Sequence, residues 1–203
     1  MKKNIISLFM VCSLVTQLHA GGDAIATESM KDTTAVEAPD EHEESGAFYM
    51  IAKGLTVHGN TVPHGHSTLD GDRGYGFGID IGYMFGNGFA LEYDFSYATN
   101  TVKETDEHQH SKEADGKYYT HALDLIYAYH LSHTLGIFVK AGYEYEIEEI
   151  EDFHIDSNDH GFVFALGFEV TINDHYRFVA EAEKSTIDSP RGSSMFAGVM
   201  YIF

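Results

Sequence analysis

Apolar and polar residues alternate along the chain from about residue 46 onward. In the segment 74–85, aromatic or aliphatic side chains occupy every odd position from Tyr75 to Phe85, while glycines, Asp80 and a methionine occupy the even positions. The segment from Phe89 to Tyr97 repeats this division. Successive side chains of a β-strand point to opposite faces, so a two-residue period predicts strands with one apolar face.

Eight such segments follow one another, each about 10 to 13 residues long, which is the length that a tilted strand needs to cross a bilayer. Their connections are of two kinds: three are short (86–88, 132–134, 173–174) and four are long and polar (57–73, 100–116, 148–159, 188–194). This arrangement predicts an all-β protein, an eight-stranded antiparallel up-and-down transmembrane barrel with short periplasmic turns and longer extracellular loops. Both faces of the first segment are largely apolar, so the pattern does not assign which of them points inward.

A soluble β-sandwich would also show alternation, so the content of each face must decide between the two folds. The apolar faces here carry almost no charge and are rich in Tyr and Phe near the segment ends, which is typical of a lipid-facing band with aromatic girdles. The opposite faces combine small residues with single charges, which suits the narrow interior of an eight-stranded barrel. The pattern therefore favours the membrane barrel.

The N-terminal residues have a different character. Residues 1–20 contain Lys2 and Lys3, a short apolar run and a small residue at position 20, which predicts a signal peptide. A membrane anchor is the alternative, but the apolar run is too short to span. Residues 21–45 are acidic and lack an apolar period, which predicts a disordered periplasmic leader with a partner-binding segment as the alternative. The barrel domain is expected over residues 46–203.

Composition narrows the function classes. The chain has 12 Lys and Arg against 32 Asp and Glu, a formal net charge of -20, so the basic footprint of a nucleic-acid-binding protein is absent. The single cysteine, Cys12, lies within the predicted signal peptide, so no disulfide or cysteine-ligated metal is expected in the mature protein. The mean hydropathy of -0.21 is that of a soluble protein, but it averages two faces of opposite character.

The last segment, 195–203, ends in Phe203 with Tyr201 two positions earlier and apolar residues at alternate positions. With the signal peptide and the hairpin-linked segments, this makes the chain resemble the small outer-membrane β-barrels of Gram-negative bacteria, such as the OmpA-like transmembrane domain. The resemblance implies location in the outer membrane and contact with outer-membrane lipid and lipopolysaccharide. It also implies that Tyr201 and Phe203 form the signal read by the outer-membrane assembly machinery. No cofactor and no nucleic-acid partner is expected.

Charged residues on the predicted inward faces form the first candidate site. Buried charges must be paired, so Lys140 and Arg177 are expected to pair with carboxylates in a network that fills the lumen. Because acids outnumber bases, a small cation-preferring pore is the alternative. The predicted network comprises Asp80, Glu92, Asp94, Asp124, Lys140, Glu169, Arg177 and Glu181.

Histidines in the long loops form a second, more speculative site. His64, His66, His108 and His110 lie beside acidic residues in His-x-His patterns, which could ligate zinc, nickel or copper. Ordinary solvated loops are the alternative.

Enzymatic activity is not expected. His130-Leu131-Ser132 has residue types found in barrels that modify lipid A, but it lies at a short turn and no acid is obviously paired with the histidine. The sequence therefore indicates a structural or surface-interaction role: envelope integrity, adhesion, or contact with an unidentified extracellular ligand through acidic, His-rich loops.

Overall fold

The computed structural model of the protein describes residues 46–203, so the predicted signal peptide and leader lie outside the described residues. Within this part no helix is long and apolar enough to span a membrane. Among residues 46–203, a 3-10 helix of one turn covers Glu151–Phe153. The strands are β1 (Ala47–Val57), β2 (Thr61–His64), β3 (Ser67–Gly71), β4 (Gly74–Met84), β5 (Phe89–Thr105), β6 (Ser111–His130), β7 (Leu135–Ile150), β8 (Ile155–Thr171), β9 (Tyr176–Ser185) and β10 (Ser194–Ile202).

Eight of these strands form a closed antiparallel ring in the order β1, β4, β5, β6, β7, β8, β9, β10. The first and last strands pair with each other, from Tyr49 opposite Ile202 to Val57 opposite Ser194. The backbone N–H of Phe203 also donates to the carbonyl of Phe48 at 3.0 Å. Closure removes the open edges that hydrocarbon cannot satisfy, and the predicted eight-stranded up-and-down barrel is confirmed.

The remaining two strands, β2 and β3, form a hairpin that branches from the ring. β4 pairs with β5 as far as Tyr75 opposite Thr99, and β3 takes over the same edge of β5 with Gly71 opposite Val102. The long polar connection predicted over 57–73 therefore contains a hairpin that the sequence pattern did not indicate. The sequence pattern did not predict this hairpin, because its short strands carry only two apolar side chains, Val62 and Leu69, which is too few to show a period.

The ring strands also extend further than expected. β6 has 20 residues and β5 has 17, and their pairing continues up to Thr105 opposite Ser111. Most of 100–116 and 148–159 is strand, so the predicted strand lengths and loop bounds are wrong there. Alternation marks only the part of a strand with lipid on one side. Beyond that part both faces carry polar residues, although the backbone hydrogen bonds continue.

The outward face forms an apolar belt. Phe77 is 53% exposed and Leu166 is 63% exposed, values that would be unfavourable in water for so continuous a surface. Aromatic pairs edge the belt: Tyr201 with Phe203 near the short turns, and Tyr97 with Tyr119 towards the other end.

The inward face is arranged in layers along the barrel. The open question about β1 is answered by its buried side chains, which start with Tyr49 and Ile51 and continue through Lys53. Near the short turns the lumen holds an apolar cluster rather than the small and charged residues expected there: Tyr49, Ile51, Ala90, Ile126, Phe138, Val179, Met200 and Ile202. The charged network lies above this cluster, and a second apolar cluster lies at the far end with Val62, Leu69, Val102, Ala114 and Ile150.

Candidate functional site

Lys53 is the first centre of the lumen network. Its Nζ lies 2.6 Å from Asp94 Oδ2, 3.0 Å from Asp80 Oδ2 and 3.1 Å from Glu181 Oε1. It also lies 4.0 Å from the centroid of the Phe196 ring. A buried ammonium group held by three carboxylates is fixed in one position.

Lys140 is the second centre. It pairs with Glu92 and with Glu181, whose Oε2 lies 2.9 Å away, so Glu181 bridges the two lysines. The hydroxyl of Tyr49 donates to the other oxygen of Glu92 at 2.7 Å. The network thus links strands on opposite sides of the ring.

Asp124 faces the lumen without a comparable partner. The residue is 2% exposed, and its Oδ1 makes no hydrogen bond within the described residues. Its carboxylate occupies the space opposite Gly142, where a Cβ would lie 1.9 Å from Oδ1. Of the eight predicted network residues, Asp124 is therefore the one without an ion pair among the described residues, and its carboxylate fills the space left by Gly142.

Glu169 and Arg177 form a separate pair at the short-turn end of the lumen. Arg177 Nη1 donates to Glu169 Oε1 at 2.8 Å, and His130 Nε2 lies 3.1 Å from the same oxygen. Glu169 is therefore an acid beside His130 that the sequence did not make obvious. The β8 strand supplies this acid from outside the local sequence. Ser132 Oγ accepts hydrogen bonds from the backbone of Thr134 and Leu135 and so serves the turn.

Arg191 closes the other end of the lumen. It lies in the connection between β9 and β10 and is 2% exposed, because this connection folds inward. Its Nη2 donates to Glu144 Oε1 at 2.7 Å, and its Nε lies 2.6 Å from Glu146 Oε2. The carbonyl of Pro190 accepts hydrogen bonds from the Asn100 side chain and from the backbone of residue 60, both at 3.1 Å. The connection is therefore held by β7 through the Arg191 side chain, and by β5 and the β1–β2 connection through the Pro190 carbonyl.

Glu148 continues this row of acids on β7. It is 8% exposed, and its only hydrogen bond among the described residues comes from Ser189 Oγ at 3.3 Å. It borders a cavity of about 210 Å³ at the far end of the lumen. The cavity is lined by Val62, Pro63, His64, Leu69, Glu146, Glu148, Ile155, Ser157, Asn158, Asp159, Ile187, Asp188, Ser189 and Pro190.

Sequence reasoning missed Lys53, Arg191, Glu144 and Glu146 as site residues. Lys53 is the single charge within the apolar segment 47–57, and that isolation was the available signal. Arg191 lies in a connection, where no periodicity tells whether a side chain points in or out. Glu144 and Glu146 do fall on the polar face of their segment, but nothing in the sequence indicated a partner for them.

The loop histidines lie on two neighbouring turns. His64 and His66 flank the β2–β3 turn, His108 and His110 lie in the β5–β6 turn, and His66 Nδ1 is 3.0 Å from Glu107 Oε1. The backbone N–H groups of His110 and His108 donate to Asp106 and lower the pKa of its carboxyl.

Within residues 46–203, the groups of three ligand atoms lying within 4.8 Å of one another are all lumen carboxylates: Asp80, Glu92 and Asp94, and Asp94, Glu181 and Glu183. The first group is already occupied by the ammonium of Lys53. The loop metal site at His64, His66, His108 and His110 stays a prediction.

The family model described as outer membrane protein beta-barrel domain matches residues 33–203. The chain belongs to this outer-membrane β-barrel family. The location predicted from the sequence, the outer membrane, is thereby confirmed. No curated protein matches the chain.

Two solved structures, of Neisserial surface protein A and of AlkL, show the same barrel fold at low sequence identity. The Neisserial surface protein A is 16% identical, with 79% of this chain and 100% of that chain covered and a TM-score of 0.55. The outer membrane protein AlkL is 11% identical, with 88% and 97% covered and a TM-score of 0.50. Ail, the attachment invasion locus protein of Yersinia pestis, is 16% identical, with 77% and 99% covered and a TM-score of 0.47. Similarity at this level of identity shows the fold alone, so the function of this chain must be inferred from its own contacts.

Proposed function

We propose that this outer-membrane barrel is a surface-contact protein, in which a filled barrel displays a stiff, acidic extracellular surface to a cationic partner. The filled lumen supports this role over a pore. Lys53 and Lys140 cross-link the centre, and Arg191 binds Glu144 and Glu146 nearer the outer end. The free space next to the short turns is a cavity of about 50 Å³.

The observation that carries the proposal is an apolar cluster beyond the lipid-facing belt. Val102 and Ile150 are fully buried there, and Leu69 of the hairpin is 2% exposed. Burying an aliphatic side chain contributes about 1.5–3 kcal/mol, so the strand extensions and the hairpin hold one another in place. Such a surface is preorganised, which lowers the entropy cost of binding.

The charge of this region indicates the partner's chemistry. Residues 58–73, 100–117, 148–160 and 184–193 together contain 14 acidic and 6 basic side chains. The excess negative charge attracts a basic surface and steers its approach, and added salt screens this attraction.

The test measures binding of immobilised poly-L-lysine to the full chain in nanodiscs of zwitterionic lipid. Replacing the exposed acids Glu113, Asp115, Asp152 and Asp156 by their amides is expected to weaken binding strongly, whereas Asp174→Asn at a short turn leaves it intact. Equal binding by the unmodified chain, the fourfold amide variant and the Asp174→Asn variant would contradict the proposal.

A conductance measurement separates this role from the pore alternative. In planar bilayers we expect no discrete current steps, because buried ion pairs occupy the lumen. Cation-selective steps that change when Glu181 or Lys140 is replaced would overturn the surface-contact role in favour of a pore.

A further inference from the structure

We propose that the cavity bordered by Glu148 binds the cationic side chain of an arginine or lysine from an extracellular polypeptide. The shared chemistry is an alkyl stem that ends in a guanidinium or ammonium group. This inference rests on the proposed surface-contact function and names the group that the acidic surface receives.

The row of acids on β7 already accommodates one guanidinium. Glu144, Glu146 and Glu148 occupy alternate positions, so their side chains share the inward face at a spacing of about 7 Å. The first two hold Arg191 through contacts of 2.7 and 2.6 Å. Glu148 continues the same surface towards the outside.

Glu148 itself has no cationic partner among residues 46–203. No basic side chain in this part of the chain lies within 4.0 Å of its carboxylate, and the hydrogen bond from Ser189 is long at 3.3 Å. The residue is nevertheless only 8% exposed. A buried carboxylate is costly unless it is paired, so a cation arriving in the cavity would supply the missing partner.

The walls of the cavity match an alkyl cation better than a bare metal ion. Val62, Leu69, Ile155 and Ile187 supply apolar surface, and Asp159 and Asp188 add negative charge beside Glu148. An arginine or lysine side chain buries its methylene stem on apolar surface and places its charged head on a carboxylate. The volume of about 210 Å³ leaves room for such a side chain. His64 also lines the cavity.

Isothermal titration of the full chain in zwitterionic nanodiscs with the peptide acetyl-Gly-Arg-Gly-amide tests the proposal. Glu148→Gln is expected to weaken binding about tenfold or more, since the buried charge partner is lost. Glu149→Gln is the matched control: it removes the same charge from the adjacent residue, which is on the opposite face of β7. The affinity of the Glu149→Gln variant for the arginine peptide should equal that of the unmodified protein. The same peptide with citrulline in place of arginine lacks the positive charge and should not bind.

A second variant tests the cavity without changing any charge. Ser157 is exposed and lines the cavity, so Ser157→Phe fills the space and should also abolish peptide binding. Heat-modifiable migration on gels shows that each variant has folded. Agmatine, the free alkylguanidinium, distinguishes the source of the cation: agmatine binding without peptide binding would overturn a polypeptide as the source.

Two outcomes would overturn the site itself. Equal loss in the Glu148→Gln and Glu149→Gln variants would mean that only the overall surface charge matters. Undiminished peptide binding by Glu148→Gln and by Ser157→Phe would place the peptide elsewhere. In either case poly-L-lysine binding that still depends on Glu113, Asp115, Asp152 and Asp156 would leave the surface-contact function standing.

Discussion

Lys53 on β1 lies 2.6 Å from Asp94 on β5, although β4 separates these two strands in the ring. The contact therefore spans β4 on the lumen side instead of following a strand pair. It fixes the distance between non-adjacent strands, which the backbone hydrogen bonds alone do not set. The two residues are 41 positions apart in the sequence.

Replacing Lys53 by methionine should destabilise the barrel more than replacing any surface lysine. Asp80 and Asp94 would lose their only cationic partner within 4.0 Å among the described residues, and leaving a buried charge unpaired costs about 3–5 kcal/mol. Urea unfolding in lipid vesicles, followed by tyrosine fluorescence, measures the change. Lys184→Met removes an exposed lysine and serves as control. Equal unfolding midpoints for the two variants would contradict a structural role for Lys53.

Arg191→Met should destabilise the connection between β9 and β10. Glu144 and Glu146 would then lie side by side on the inward face of β7 without a cation, at a cost of about 3–5 kcal/mol. Protease cleavage within 186–193 is the measurement, and we expect the variant to be cut while the unmodified chain is protected. Arg73→Met, at an exposed position, should leave protection intact. Protection of the Arg191 variant would show that Pro190 and Asn100 suffice.

Gly82→Ala should destabilise the short-turn half of the lumen by about 1–3 kcal/mol through overpacking. A Cβ at Gly82 would lie 2.2 Å from the Tyr49 ring and would displace the hydroxyl from Glu92. Gly54→Ala is the matched control, because nothing lies within 4 Å of a Cβ there. Tyr49→Leu should restore part of the stability of Gly82→Ala in the double variant. A cost for Gly82→Ala that persists unchanged when Tyr49→Leu is also present would contradict this packing.

The β5–β6 turn should loosen in acid. Hydrogen bonds from the backbone of His110 and His108 hold the pKa of Asp106 below its usual range. A lowered pKa in the folded state means that the stabilisation is present above the ordinary carboxyl pKa of about 3.9 and is lost as the pH falls through the lowered value. NMR titration of the Asp106 carboxyl and amide exchange at His108 and His110 report this transition. An Asp106 that titrates at or above its ordinary value would refute it.

The strands that cross the bilayer could be predicted because lipid and lumen impose opposite demands on alternate residues. The segment from Tyr75 to Phe85 is the clearest example, and its inward positions are glycines, Asp80 and Met84. The strand extensions could not be predicted in the same way. Residues 111–117 of β6 carry polar or small side chains on both faces, so the pairing with β5 leaves no periodic trace.

The candidate site was predictable only where a charge lay on a face that the pattern had already assigned. Lys140 and Glu181 were found in this way, and their contact within the lumen follows from ring closure. Lys53 was missed because both faces of β1 are apolar. Arg191 was missed because its inward position depends on backbone contacts of its own connection, which arise only once the ring is closed.

Beyond Thr99, β5 pairs with β3 instead of β4. Four residue pairs join β3 to β5, and all of them lie beyond the point where the pairing of β4 with β5 ends. The tip of the hairpin is Gly65, which has a φ of +59°, and nothing lies within 4 Å of a Cβ placed there. The hairpin is thus a ready position for epitope display: a foreign peptide inserted at Gly65 would be carried outward on a paired stem while the barrel register beneath it is unaltered.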